Sequence, residues 1–110
     1  MADFIRNLEQ SKVLSLAGQV DVAKGQVVSK TLAQNDAVSL TIFAFDAGEE
    51  ISSHASEGDA LVTVLEGKGR ITIGGEMYML QAGQSIVMPA GVPHALLAVE
   101  PFKMFLTVIF

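Results

Sequence analysis

From Gln26 onward, short apolar runs alternate with turn-forming residues along the chain. Val38, Leu40 and Ile42 alternate with Ser39, Thr41 and Phe43, and this run, which extends to Phe45, stops at Asp46-Ala47-Gly48. A period of two sends successive side chains to opposite faces of a strand. The same reading predicts strands over 27–32, 61–65, 70–73, 76–80, 85–88, a strand starting at His94, and 102–110. Gly74-Gly75, between two such runs, predicts a tight two-residue hairpin. Many short strands at close spacing, with few helical periods, predict an antiparallel sandwich or barrel.

Residues 3–20 carry the least β-like pattern. Asp3 is placed to cap a short helical turn running through Leu8 and Glu9. Val13–Leu16 reads either as a short helix or as an arm lying on a neighbour. The organisation expected is an N-terminal arm, 1–25, followed by one barrel domain, 26–110. Segments 38–45 and 102–110 are apolar on both faces, and a small barrel can bury only one of them. The second face calls for a partner, and a homodimer is the simplest one. The competing explanation is that the N-terminal arm covers that face within one chain.

Length and composition narrow the classes. The chain has 110 residues, of which 50% are hydrophobic, enough for one domain with a true core. No stretch reaches the roughly 18 apolar residues of a membrane span, and the start lacks the apolar core of a secretory signal. There is no cysteine, which removes disulfide frameworks and thiolate metal sites. These absences point to the cytoplasm. The formal charge is −5 and the seven lysines and arginines are scattered, so neither a nucleic-acid surface nor a membrane surface is expected.

The only two histidines, His54 and His94, each follow a glycine turn. On separate strands they can meet at one end of a barrel. Imidazole is a common transition-metal ligand, but two imidazoles alone make a weak site. If 54–56 were extended, Ser56 would share a face with His54. Pro89 and Gly91-Val92-Pro93 force a bend that starts a new strand at His94.

These stretches resemble the two signature motifs of the cupin superfamily. The first is a glycine, five residues, His-x-His, a glutamate and a later glycine; Gly48, His54 and Gly67 stand in register with it. Ser56 occupies the place of the second histidine and Ala60 that of the glutamate. The second motif is a glycine, five residues, Pro-x-Gly, two residues, His and a later asparagine. Gly83, Pro89, Gly91 and His94 match, and Ala98 replaces the asparagine. The resemblance covers about residues 38–108. It implies a double-stranded β-helix, or jelly-roll barrel, with a site in its mouth lined by His54, Ser56, Ala60, His94 and Ala98. It also implies a divalent transition metal, for which this chain keeps only His54 and His94, so any such ion would be weakly held.

Other motifs carry less. Gly67-Lys68-Gly69-Arg70 lacks the spacing of a phosphate loop. No Gly-x-Ser-x-Gly elbow accompanies Ser52, Ser53 and Ser56, which argues against a serine hydrolase. Met77, Met79, Met88 and Met104 stand at strand spacing and read as core filler. The function expected is binding of a small polar or anionic molecule in the barrel mouth. The alternatives are a metal-dependent oxygenase or isomerase with an incomplete two-histidine site, and a metal-free enzyme with a histidine as general base.

Overall fold

The computed structural model describes residues 4–110, so the capping role of Asp3 lies outside the described residues. The strands are β1 (Val27–Gln34), β2 (Val38–Phe45), β3 (Glu50–His54), β4 (Asp59–Glu66), β5 (Lys68–Ile73), β6 (Glu76–Gln81), β7 (Ser85–Met88), β8 (His94–Ala98) and β9 (Phe102–Ile109). They form a five-stranded sheet of order β1-β2-β9-β4-β7 and a four-stranded sheet of order β3-β8-β5-β6. All pairings are antiparallel. This is the jelly-roll architecture. No helix among the described residues is long and apolar enough to cross a membrane.

Between the sheets lies a core built from the inward rows of each strand. Val62 and Val64 of β4, Ile71 of β5, Leu80 of β6, Met88 of β7 and Met104 of β9 are buried there. Phe45 and Phe102 stack at its centre with ring centroids 4.5 Å apart, an offset-stacking distance that adds to their burial. The Gly74-Gly75 hairpin has both residues at positive φ, 56° and 88°, the conformation that matches the twist of the flanking strands.

A second apolar layer sits on the outward face of the five-stranded sheet. Ile42 and Ala44 of β2, Leu32 of β1 and Val20 of the arm are buried together, with Leu8, Leu16 and Phe105 packed against them. The outward row of 38–45 thus finds its cover within the chain. Polar ties hold the arm down. The Arg6 amide donates to the Leu32 carbonyl at 2.8 Å, and the Asn7 side-chain amide to the Thr31 carbonyl at 2.7 Å. The Lys103 amine donates to the Ala17 carbonyl at 2.7 Å. Among its described residues the arm holds one short 3-10 turn, Ala17–Gln19. Asn7 and Ser11 lie in the left-handed region, at φ 65° and 57°, which breaks any α-helix through Leu8 and Glu9. Further along the same sheet face, Leu61, Val87 and Ile109 stay exposed.

Candidate functional site

His94 opens β8 directly after the corner made by Pro89–Pro93. Two backbone bonds fix that corner: the Gly91 amide to the Ser56 carbonyl at 2.8 Å, and the Gly74 amide to the Pro93 carbonyl at 2.9 Å. His94 then starts the inward row of β8, followed by Leu96 and Ala98, all buried. It is paired on both sides, with Ile73 of β5 and with His54 of β3. A bulge between Ile51 and His54 re-aims the end of β3, as bulges beside sites commonly do.

The two imidazoles therefore meet as cross-strand partners. Their Nε2 atoms are 3.2 Å apart, and the rings cross edge-to-face at 71° with centroids 4.4 Å apart. His94 is 3% exposed, whereas His54 stands open to solvent. Hydrogen bonding fixes the protons. His54 Nδ1 lies 2.9 Å from the Ser52 carbonyl, which can only accept, so Nδ1 carries a proton. In neutral His54, Nε2 is then an acceptor, and His94 Nε2 must donate to it. His94 Nδ1 is left as a buried acceptor without a partner. Protonating His54 inverts this arrangement: its Nε2 then donates, and the proton of His94 moves to Nδ1.

Burial lowers the His94 pKa below the usual imidazole value, and the neighbouring His54 lowers it further. The Val92 backbone, as a hydrogen-bond acceptor for the charged ring, opposes this. A lowered pKa means that the folded state resists taking up a proton that the unfolded chain accepts. Stability is therefore full above about pH 6.5 and declines as pH falls through the His94 pKa, at no more than about 1.4 kcal/mol per pH unit. We expect His94→Leu to flatten that decline in urea melts between neutrality and mild acid. An unchanged acid slope in the variant would assign the decline to other groups.

A profile of the cupin domain matches residues 41–110. The chain is a cupin. Over 98% of this cupin and 95% of the other chain it is 48% identical to a conserved protein of unknown function from Streptococcus pyogenes, with a TM-score of 0.96. A cupin superfamily protein from Desulfitobacterium hafniense is 32% identical, with a TM-score of 0.92, over 96% of this chain and 97% of that one. Salicylate 1,2-dioxygenase from Pseudoaminobacter salicylatoxidans shares the fold alone. It is 22% identical, with a TM-score of 0.71, over 84% of this chain and 27% of that enzyme. No curated protein sequence matches the chain.

The other sequence-derived site residues of this cupin are placed unevenly. Ser56 falls outside β3, so strand parity does not govern it. It is half-buried, and its hydroxyl accepts from the Gly58 amide at 3.2 Å. Ala60 and Ala98 are buried in the core, at 1% and 2% exposure, and present methyl groups. Both belong to the packed core between the sheets. Nearby carboxylates are turned away: Asp59 is at the rim, where it accepts from the Ala90 amide at 2.8 Å, and Glu57 lines a separate cleft with Asn35, Asp36 and Phe110. The Ser52 carbonyl was not foreseeable, because its role comes from the bulge.

The fit to a metal can be judged from the donors. Two nitrogens about 2.0 Å from one tetrahedral ion lie about 3.3 Å apart, close to the separation seen. Among the described residues, however, no group of three histidines or carboxylates converges. Ala60 supplies no donor atom, and the Ser56 hydroxyl is engaged with a backbone amide. Two imidazoles without a third protein donor do not fit a resident divalent ion.

Proposed function

We propose that this cupin binds a small polar or anionic molecule at the barrel mouth through His54 and His94, without a resident metal. The observation that carries this reading is the exposed imidazole of His54 standing over the buried one of His94, Nε2 to Nε2 at 3.2 Å. The pair presents one exposed ring whose Nε2 switches from acceptor to donor on gaining a proton. His54 is the ring an incoming ligand meets first, because His94 is buried beneath it. An anion would favour the protonated form, and a hydrogen-bond donor the neutral one.

The same contact supports a second reading, a metal-free enzyme with His54 as general base. In the ligand-free protein the Nε2 lone pair of His54 accepts from His94, so it would take a substrate proton only as that contact opens. Both readings place a ligand on His54. Imidazole nitrogen resonances followed by NMR during titration with oxalate, and separately with inorganic phosphate, test it. Saturable shifts at both histidines, lost in His54→Ala, are expected. If neither anion moves either histidine, the pair is a structural contact and the binding reading fails.

A further inference from the structure

Each sheet of a sandwich has two edges, and an open edge invites pairing with another chain. Three of the four edges here are blocked. β1 is bulged between Thr31 and Ala33, and it is bonded by Arg6 and Asn7 of the arm. β3 is bulged and carries Glu50, Ser52 and Ser53 along a largely exposed strand. β7 has only four residues and runs into Pro89.

β6 has none of these protections. It is six residues long and pairs with β5 in unbroken register. No lysine, arginine or proline lies between Glu76 and Gln81. Met77 is 65% exposed, Met79 51% and Tyr78 38%, so two of the methionines read as core filler are instead on the surface. The strand also borders a cleft of about 360 Å³ between the two sheets, floored by Leu80 and Ile86.

We propose that β6 is a self-association edge, through which two copies of this chain join their four-stranded sheets antiparallel, with the two-fold axis at Tyr78. The register follows from the sequence. Cross-strand partners must share a face, so the axis has to pass through a residue and not between two. Centred on Tyr78, it sets Met77 against the partner's Met79 on the outward face. On the inward face it sets Tyr78 beside its own copy and Glu76 beside the partner's Leu80. Every exposed apolar side chain of the strand then has an apolar neighbour, and the paired tyrosines cover the cleft.

Charge is compatible with this register. The chain carries −5, but the only charge on β6 is Glu76, whose carboxylate accepts from the Tyr78 hydroxyl at 2.9 Å. The two copies of Glu76 stand four positions apart along the paired strands, about 13 Å, beyond the screening length of about 8 Å at physiological salt. An axis at Glu76 itself would oppose the two carboxylates directly. An axis at Met79 would set Met77 against the polar Gln81.

The absence of native cysteine makes the register testable. Residues on the two-fold have Cα atoms about 4.5–5.5 Å apart, within disulfide range. Tyr78→Cys should give a disulfide-linked dimer on mild oxidation, and Val87→Cys, on the outward face of β7, should not. In sedimentation the parent should show twice the chain mass at micromolar concentration. Met77→Lys combined with Met79→Lys, which opposes like charges across the axis, should halve it while circular dichroism stays that of the parent. A monomeric parent overturns the proposal, as does a dimer that links through Val87→Cys and not through Tyr78→Cys. If the lysine variant keeps both its fold and the doubled mass, the edge is not the contact.

Discussion

Replacing Ser56 by histidine and Ala60 by glutamate should raise the affinity for zinc, nickel or manganese at least about a hundredfold, or ~2.7 kcal/mol. His54 and His94 already hold two nitrogens at the spacing of ligands on a single ion. What the parent lacks is a third donor and a negative charge. Ala60 stands on the inward row of β4 with Val62 and Val64, cross-strand from Met88, so a glutamate there enters the barrel. Without metal, that carboxylate is buried and unpaired, and the variant should be less stable than the parent. Metal should restore stability in the variant and leave the parent nearly unmoved, because only a ligand that binds the folded state raises its melting point. His54→Ala in the variant should remove the gain. A double variant that binds these ions no better than the parent by calorimetry would show that the two imidazoles do not face a common point.

The largest loss of stability from a single methyl group is expected at Gly67. This residue links β4 to β5 at φ +76°. A Cβ there would strike the Pro101 carbonyl oxygen and lie 2.8 Å from both Cα and Cβ of Phe102. Phe102 is the residue that stacks on Phe45, so relief would have to come from the centre of the core. Gly67→Ala should cost about 1–2 kcal/mol for the left-handed backbone and about 1–3 kcal/mol more for overpacking. Against a total of roughly 5–15 kcal/mol, that is severe. Gly48 offers the internal comparison. Its φ is +82°, but nothing lies within 4 Å of an added Cβ. Gly48→Ala should therefore show the backbone cost alone. Equal losses for the two variants in urea unfolding would remove the steric contribution claimed for Gly67.

How much of this could be read from the sequence depends on which force sets each element. The runs at 38–45 and 102–110 declare themselves because alternating or continuous apolar positions have to be buried. The glycine and proline corners fix where the chain turns, and so they carried the family resemblance. β3 gave no such signal: of Glu50–His54 only Ile51 is apolar, and the strand exists because β8 offers it a ladder. β3 ends at His54, so strand parity does not carry on from His54 to Ser56. Met88 and Met104 behave as core residues and Met77 and Met79 do not, because β6 has a neighbour on one side only, a fact of topology that residue type does not encode. The arm was ambiguous because the spacings of Leu8, Leu16 and Val20 fit a helical and a strand period equally; their common feature is the sheet face they cover. In the site, the meeting of His54 and His94 was legible from the corner spacing, while the proton arrangement was not, as it depends on one carbonyl at Ser52.

The place of β9 in the five-stranded sheet has a consequence for how the molecule is made. β9 is the last of the nine strands to leave the ribosome, yet it lies in the middle, between β2 and β4. At about 5–20 residues per second, β1 and β2 wait for several seconds beside β4 and β7 with no strand to join them. During that interval the edges of β2 and β4 that later pair with β9 both stand open. The order of synthesis thus sets the time over which these apolar strands need shielding, and a chaperone that acts on this protein would act before residue 109 has emerged.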